Sequence, residues 1–582
     1  MSITENRPDR TEKDRGGITE DPSLSAENKA DAYLSNAYDI EVGTNVVDGD
    51  RAPDTIYDVI PEGVNPALVR EERVHRGLSQ RHIQMIALAG AIGTGLFLGS
   101  GKSIRRAGPV GTLIGYGIVG TLVMSVMGCL AELSALAPIS GAFVRQSEFF
   151  FDPALAFAIG WCCFYGSVVS VPAEWSAVAV IMTYWTDLSP AIWIAICIFI
   201  TFMTNLFLIR IYGEVELICS MLKIMLILGL ILFGLIYDLG GIPGTDRIGF
   251  RYWKDPGSFG EGYYYTGTAG GRFCGFWLTL INAVYAFSGV ESLAIAAAET
   301  KNPRRNVPKA AKHVFIRVFI FYMVTLFIVG LIVPYNDKNL LQSTGTAASS
   351  PFVIAAQRAG VKVLPSIINA VIITSAWSSG NHGMLVGSRS LYALALDGKA
   401  PKIFTRVSRF GIPYLAVLFQ GSFQLLAFMS LNSGAATVFS WMTNINSSST
   451  LCIWIVIGFI SLRVRQAMKA QGIAPAKLPW SAPLQPFISH YTMWGSFVVL
   501  ITGGFYSFLP GNWDVSDFFS SYFSVIFMIV FYFGYKLWKK TKIVPLTQVP
   551  VGQFIAIADA NPETEAQPTK GPWGWFAKFW WD

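Results

Sequence analysis

Long apolar stretches alternate with short polar loops between about residue 84 and residue 537 of this chain. A bilayer core about 30 Å thick needs about 20 apolar residues per helix. The pattern therefore predicts an all-α membrane protein with twelve transmembrane helices, the first of them short. The predicted spans are approximately 84–99, 111–136, 154–183, 190–209, 214–237, 274–298, 315–334, 363–393, 413–430, 435–461, 491–509 and 517–537.

The regions flanking these spans are polar. Residues 1–80, which are rich in Asp, Glu, Asn and Pro, are predicted to form a disordered tail, residues 81–540 the transmembrane domain and residues 541–582 a second tail. Loops on the side of both termini carry more than twice as many lysines and arginines near the span ends as the opposite loops. By the positive-inside rule, both termini are cytoplasmic. The basic segment 301–312 is then a cytoplasmic loop that meets lipid headgroups.

Composition narrows the class of protein further. Only 14% of the 582 residues are charged and 52% are hydrophobic, whereas soluble domains carry about 25% charged residues. The seven cysteines form no CxxC pair, the five histidines are scattered, and no HExxH or GxSxG motif is present. GSGKS at Gly99–Ser103 lacks the earlier glycine and the preceding strand of a phosphate-binding loop. We therefore expect no enzyme activity, no cofactor, no metal and no nucleic-acid partner.

Two predicted spans carry glycine or polar residues where a helix should be continuous. The first reads IALAGAIGTGLFLGSG over residues 86–101, and each glycine inside a helix costs roughly 0.5–1 kcal/mol relative to alanine. The sixth contains Ser288, Gly289 and Glu291. The spacing of Gly95 and Gly99 also suits close helix packing, so packing kinks are one interpretation of both segments.

Paired interruptions in equivalent spans of two halves indicate a transporter binding site. An unwound backbone is tolerated at membrane depth only where it faces water, protein or a polar ligand. Free N–H groups at a half-helix N-terminus suit a carboxylate, and free carbonyls at a half-helix C-terminus suit an ammonium group. A ligand that carries both groups is an α-amino acid.

The motifs GAIGTGLFLGSG, PAE, GEVE…SMLK, FSGVE…AAETKNPRRNVPKA, SAWSSGN and SRSLYALALDGKAPKIF follow one another along the chain. Over about residues 75–545 the chain thereby resembles the fungal amino-acid permeases of the yeast amino-acid transporter family in the APC superfamily. The resemblance implies a LeuT-like 5+5 inverted repeat plus two C-terminal helices. It also implies secondary active, proton-coupled uptake of amino acids across the plasma membrane with alternating access.

The resemblance also implies a substrate site at the two interrupted helices. Backbone amides and the Thr94 hydroxyl of the first helix hold the substrate carboxylate. Carbonyls of the sixth helix take the ammonium group, with Phe287 as a lid. The substrate-binding residues so assigned are Gly93, Thr94, Gly95, Glu174, Phe287, Ser288, Gly289 and Trp377. For Trp377 and the polar run 446–449, a packing role is the alternative to shaping the side-chain pocket.

Proton coupling is assigned to Lys223, Glu174 and Glu291. A charged group at the bilayer centre costs about 2.5–3.5 kcal/mol, so Glu174 is expected to bind the substrate ammonium or a proton, or to pair with another buried polar group. Lys223 matches a lysine that stands in for a sodium ion in proton-driven relatives, although snorkelling to the interface is an alternative. Glu291 is expected to donate or accept hydrogen bonds in the sixth helix, with a structural or a coupling role.

The substrate and the mode of action stay open at this point. A nutrient sensor that binds amino acids but barely transports them would keep the same site, and a related amine such as a polyamine or carnitine is an alternative substrate. Besides the substrate, the expected partners are protons, membrane lipids and the ubiquitin-ligase machinery. In the N-terminal tail, Lys13 and Lys29 are the lysines available to that machinery.

Overall fold

The computed structural model describes residues 61, 64–65, 68, 93–139, 141–207, 209–295, 302–341, 350–408 and 411–563. Within these ranges the chain is helical and has no β-strand, so the all-α architecture is confirmed there. Nine helices in the described ranges are long and apolar enough to cross a bilayer. Most of the predicted N-terminal tail, with Lys13 and Lys29, and residues 84–92 of the first predicted span lie outside the described residues. Within the tail, Leu68 is described and is buried in the hydrophobic core, so the prediction of disorder is wrong at that residue.

The helices follow the predicted spans closely. A π-helical turn over Gly95–Gly99 leads directly into α1. The helices are α1 Ser100–Leu136, α2 Ala142–Phe150, α3 Pro153–Met182, α4 Pro190–Phe207, α5 Ile209–Asp238, α6 Ala269–Phe287, α7 Ser292–Ile295, α8 Pro303–Ile332, α9 Lys338–Leu341, α10 Pro351–Arg358, α11 Leu364–Leu396, α12 Tyr414–Ser422, α13 Ser430–Ser433, α14 Ala435–Ala470, α15 Phe487–Thr502, α16 Val515–Lys539 and α17 Val551–Ala560. Between α12 and α13 the chain forms a 3-10 helix over Phe423–Met429.

The predicted loop between the first two spans is helical. The helix continues through it, but Gly108 has φ +74° and ψ 177° and precedes Pro109, so the helix direction changes there. A Cβ atom on Gly108 would lie 2.5 Å from the backbone nitrogen of Gly260. Glycine is therefore required at this position both by the positive φ and by the close approach of the loop before α6.

Two groups of helices make the most extensive contacts. In the first group α1 packs against α6 and α8, and in the second α3 packs against α11 and α14. Helices α3 and α14 are the most buried of the candidate spans, whereas α16 presents most of its apolar side chains outward. Outward-facing apolar side chains are expected where a helix meets lipid rather than protein.

The segment after α16 folds back onto one end of the helical domain. The Val544 N–H donates to the carbonyl of Phe151 at 2.8 Å, and the Glu563 carboxylate accepts from the Arg304 N–H at 2.8 Å. The ring of Phe554 in α17 is buried against the rings of Phe149 and Phe150 at the end of α2. The packed domain therefore extends past residue 540 to at least residue 563.

A buried ion pair joins α2 to the segment that follows α11. Lys399 follows α11, and its ammonium group pairs with the carboxylate of Glu148 in α2. The same ammonium group lies 3.8 Å from the Asp397 carboxylate. Burial opposes the charge on Lys399, but the two carboxylates outweigh this effect and raise the pKa of Lys399 above its ordinary value. The lysine is therefore charged in the folded protein and ties α2 to the end of α11.

Candidate functional site

The sixth predicted span is broken at the predicted residues. Helix α6 ends at Phe287, Ser288 is extended with φ −62° and ψ 151°, and Gly289 has φ +91°. Helix α7 begins three residues later at Ser292. Because a side chain strongly disfavours a φ near +91°, glycine at position 289 is what allows the helix to open here.

Side chains hold the backbone of this break in place. The Ser288 hydroxyl donates to the carbonyl of Tyr285 at 2.8 Å. One oxygen of Glu291 accepts from the N–H of Gly289 at 3.3 Å, and the other lies 3.5 Å from the indole nitrogen of Trp454. Glu291 is therefore a hydrogen-bonding residue of the break itself.

The first interrupted segment is described only from Gly93 onward. From Thr94 the chain is wound, and the turn Gly95–Gly99 is π-helical, a wider form that occurs frequently at functional sites. A Cβ atom on Gly95 would lie 2.7 Å from the Cα atom of Ala286. Glycine thus lets α6 pass directly against this turn. The unwound backbone expected at Gly93, Thr94 and Gly95 is therefore wrong from Thr94 onward. Residues 86–92 of the motif lie outside the described residues.

A central cavity of about 100 Å³ lies between the two helix groups, where both interrupted segments reach its wall. A site for one water needs only about 10–15 Å³ by this kind of measure, so the cavity has room for a small organic molecule. Six of the predicted site residues line it: Gly93, Gly95, Glu174, Ser288, Gly289 and Glu291. Thr94 is buried beside them, with its hydroxyl 3.5 Å from that of Tyr285.

Glu174 is the most unusual group in the central cavity. It projects from α3, is 2% exposed, and its Oε1 atom accepts from the Tyr285 hydroxyl at 3.2 Å and from the Ser379 hydroxyl at 3.1 Å. Its Oε2 atom is buried and has no hydrogen-bond partner among the described residues. Because buried polar atoms nearly always have a partner in folded proteins, Oε2 is placed to meet a ligand, as is the Nε2 atom of His382, which lines the same cavity and also has no partner among the described residues.

Lys223 lies behind this wall rather than on it. Its side chain is 1% exposed, so the ammonium group does not reach the protein surface as snorkelling would require. It is attracted electrostatically to Glu216, which is also on α5, and to Glu174. The Ser378 hydroxyl donates to Glu216 at 2.5 Å, and the next residue of α11 is the serine that bonds Glu174. Two adjacent serines of α11 therefore each donate a hydrogen bond to a different buried carboxylate.

Two predicted pocket residues lie away from the cavity. Phe287 is fully buried, and its ring packs against Tyr322 at 4.8 Å and Tyr116 at 6.3 Å between ring centroids. Trp377 is partly buried among apolar side chains of a separate cluster. The aromatic side chains on the cavity wall are instead Tyr285, two residues before Phe287, and Phe143 of α2.

Sequence reasoning also missed Glu216, Ser379 and His382. His382 lines the central cavity, and its Nδ1 atom lies 3.5 Å from the hydroxyl of Tyr212. A signal for the α11 residues was available, because Ser379, His382 and Gly383 follow the i, i+3, i+4 spacing of one helix face. Asn446 and Ser449, from the polar run in α14, also reach the wall.

Comparison with known proteins identifies the family. The family described as amino acid permease matches residues 82–547. The chain is 40% identical to the lysine-specific permease of Saccharomyces cerevisiae, over 83% of this chain and 79% of that protein. It is 38% identical to the dicarboxylic amino acid permease of the same yeast (87% and 83%) and 38% identical to the proline-specific permease of Emericella nidulans (90% and 95%).

A solved structure shows the same fold at low identity. A manganese transporter of Eremococcus coleocola superposes with a TM-score of 0.52 and 14% identity, over 87% of this chain and all of that one. Together with the family match and the apolar helices, this makes the protein a multi-pass membrane transporter rather than an enzyme. The resemblance seen in the sequence motifs is confirmed, and the chain belongs to the amino acid permease family.

Proposed function

We propose that this protein is a secondary active transporter that takes up amino acids across the plasma membrane by proton symport. Its family and its three named relatives support the substrate class. The observation that carries the proposal is the Oε2 atom of Glu174, a buried carboxylate oxygen without a protein partner on the wall of a cavity. Leaving such a group unpaired is costly, so a substrate ammonium group or a proton binds there.

The two interrupted segments orient the substrate. Helix α6 ends at the cavity, and the C-terminal end of a helix favours a positive charge. The substrate ammonium group therefore lies near Ser288 and Glu174. The carboxylate lies beside it, where the neighbouring backbone of Gly93 and Gly95 and the hydroxyl of Thr94 receive it. A zwitterion satisfies both sets of groups at once.

Proton coupling runs through Glu174 and Lys223. The two side chains attract each other electrostatically, and salt screens such a buried attraction less than one between exposed charges. A proton or an ammonium group that reaches Glu174 weakens the attraction, so Lys223 is drawn toward Glu216. Binding in the cavity thereby changes the electrostatic interactions at the contact of α5 with α11. Glu291 contributes by holding the backbone of Gly289.

Alternating access arises between the two helix groups. The cavity is lined by the first interrupted segment, the end of α6 and α7 on one side and by α3, α11 and α14 on the other, so a rocking of the group of α1, α6 and α8 against the group of α3, α11 and α14 opens it to either face of the membrane. The twelve-helix, 5+5 layout is supported by the nine apolar helices, by α11 and α15, and by the division of the first helix at Gly108. The interrupted segments then fall in equivalent positions of the two repeats.

The proposed setting is the fungal plasma membrane with both termini in the cytoplasm. The segment from Pro303 to Lys312, at the start of α8, then faces the cytoplasmic lipid headgroups. Ubiquitin-ligase machinery acts on Lys13 and Lys29, which lie outside the described residues. Neither a cofactor nor a metal is needed for this mechanism.

An uptake screen tests the proposal. The protein is expressed in a yeast strain that lacks its own amino-acid permeases, and uptake of each of the twenty labelled amino acids is measured at acidic and at neutral pH. We expect accumulation of one or more amino acids, faster at acidic pH. A nutrient response without accumulation would instead identify a sensor, and accumulation of a polyamine or carnitine alone would identify an amine transporter.

Two variants test the assigned roles. Glu174→Gln and Lys223→Ala should abolish uptake or uncouple it from protons while the protein still reaches the cell surface. Glu214→Gln is the matched control, because Glu214 is exposed and lies in the same GEVE…SMLK motif as Lys223. Uptake at the wild-type level by both site variants would refute the assignments.

A further inference from the structure

A second cavity of about 90 Å³ lies apart from the central one and shares no lining residue with it. We call it the outer cavity, because in the proposed orientation it lies toward the outside of the cell. It is enclosed by the beginning of α1, by α6 and α14, and by the ends of α15 and α16 that face each other. Its charged lining residues are Lys102, Arg106 and Asp517. The run GSGKS, which is not a phosphate-binding loop, thus contributes Lys102 to a cavity wall.

The charges in the outer cavity are held apart rather than paired. The Lys102 ammonium donates to the Ser440 hydroxyl at 2.7 Å. The Arg106 guanidinium lies over the ring of Tyr263, 5.2 Å from its centroid. Asp517 attracts both cations, yet among the described residues neither forms an ion pair with it within 4.0 Å. Two cations and a carboxylate therefore face one space without neutralising each other.

This arrangement suits a ligand that carries both charges. Lysine and arginine are the side chains that bind carboxylates by charge-assisted hydrogen bonds, and a carboxylate binds an ammonium group in the same way. All three charged side chains are partly buried, where an unneutralised charge is more costly than in water. We infer that the outer cavity binds a zwitterionic α-amino acid, with the carboxylate on Lys102 and Arg106 and the ammonium group on Asp517.

The outer cavity leads toward the central one along two shared helices. On α6, Asn282 lines the outer cavity and Tyr285 the central cavity, one turn further along. On α14, Ser448 lines the outer cavity and Ser449 the central one. An amino acid held in the outer cavity is therefore positioned one helical turn from the proposed transport site. The inference rests on the proposed function, for which this cavity is a first binding site.

Binding to the purified full-length protein in nanodiscs tests the inference. The probe is an equimolar mixture of the twenty ¹⁴C-labelled L-amino acids, measured by equilibrium dialysis. We expect wild type to bind about two equivalents and Glu174→Gln, with its central site disabled, to bind about one. Adding Asp517→Asn or Lys102→Met to Glu174→Gln should remove the remaining equivalent. Arg105→Gln is the matched control, because Arg105 is exposed and does not line the cavity.

Transport gives a second readout with the same variants in an otherwise wild-type chain. Asp517→Asn and Lys102→Met should each raise the apparent KM for the mixture at least fivefold and leave the maximal rate within twofold, whereas Arg105→Gln should change neither. These two substitutions lie on different helices, so a folding defect in one leaves the other to decide.

The outcomes separate the two proposals. One equivalent in wild type, none in Glu174→Gln, and an unchanged KM in the outer variants would overturn the outer site and leave the transport function standing. Retention of the second equivalent in both outer variants would also overturn it. If wild type neither binds nor accumulates any amino acid, the proposed function fails, and the outer site fails with it.

Discussion

Replacing Gly93 by alanine perturbs the central cavity without changing any charge. The added methyl group would lie 2.9 Å from the Oε1 atom of Glu174 and 2.9 Å from the hydroxyl of Ser379. Both atoms are at the ends of side chains, so they can withdraw while the backbone stays in place. To reach an ordinary contact of 3.4 Å, the Glu174 oxygen has to move by about 0.5 Å. We therefore expect a folded protein with a displaced carboxylate.

The size of the effect follows from the hydrogen bonds of that oxygen. The Tyr285 hydroxyl lies 3.2 Å and the Ser379 hydroxyl 3.1 Å from Glu174 Oε1, so a movement of about 0.5 Å takes at least one of them beyond hydrogen-bond distance. A hydrogen bond to a charged group contributes about 1.5–3 kcal/mol. Since about 1.4 kcal/mol corresponds to a factor of ten, the rate of uptake should fall roughly ten- to a hundredfold.

Two other glycines of the same segment serve as controls. A Cβ atom on Gly99 meets nothing within 4 Å, so Gly99→Ala should transport at the wild-type rate. A Cβ atom on Gly95 would lie 2.7 Å from the backbone of Ala286, which cannot withdraw. Gly95→Ala should therefore lose thermal stability and surface protein as well as uptake. Initial uptake rates are compared after normalisation to surface protein, measured by biotinylation.

Two outcomes with these three substitutions would contradict the prediction for Gly93→Ala. Uptake by Gly93→Ala within twofold of wild type, at equal surface protein, would show that Gly93 does not lie against Glu174 during transport. An equal loss of surface protein in Gly93→Ala and Gly95→Ala would show that crowding at position 93 disrupts the fold and not the site.

Three further predictions concern single residues. Tyr285→Phe removes a hydroxyl that donates to Glu174, and we expect a roughly tenfold lower initial uptake rate at equal surface protein. Gly289→Ala places a side chain at φ +91°, which costs about 1–2 kcal/mol, and should lower the thermal midpoint of the purified protein. Lys399→Met removes the buried ammonium group from its ion pair with Glu148 and should destabilise the protein by about 3–5 kcal/mol. Because the pKa of Lys399 is raised above the unfolded value of 10.5, this contribution is complete below pH 10.5 and is lost as the pH rises through the folded pKa.

Each of these predictions has a matched control. Tyr335→Phe removes a hydroxyl that bonds a loop carbonyl away from the cavity, and its uptake should stay near wild type. Gly213 lacks the positive φ and has open space around its Cβ position, so Gly213→Ala should keep the wild-type midpoint. Lys402 is exposed, and Lys402→Met should not shift the thermal midpoint. A Lys399→Met midpoint equal to that of wild type at neutral pH would contradict the ion-pair argument.

The features that the sequence predicts are the apolar spans and the residues that are unusual inside such spans. Hydrophobic length located the spans, and the predicted span 274–298 corresponds to α6 and α7. An acid inside an apolar span is uncommon because it is costly, and a glycine there weakens the helix. For these reasons the sequence predicts Glu174 as a site residue and a break at Ser288 and Gly289. Both lie on the wall of the central cavity.

The features that could not be predicted depend on how helices are rotated against one another. Tyr285 and Phe287 are two positions apart, so they point in directions that differ by about 200° on a helix. Sequence alone does not say which of them faces α3. The same holds for Trp377 and Ser379 on α11. The role of Glu216 becomes apparent only when α5 and α11 are packed together, because the hydroxyl that donates to it is 162 residues away in sequence.

The docking of residues 541–563 has a practical consequence for anyone who prepares shortened or tagged forms. A truncation at residue 540 would remove the ring of Phe554 and uncover the aromatic pair Phe149 and Phe150. It would also remove two hydrogen bonds at the start of α8, from Arg304 to Asn561 and to Glu563. A fluorescent tag or cleavage site is better placed beyond residue 563, where it leaves these contacts whole.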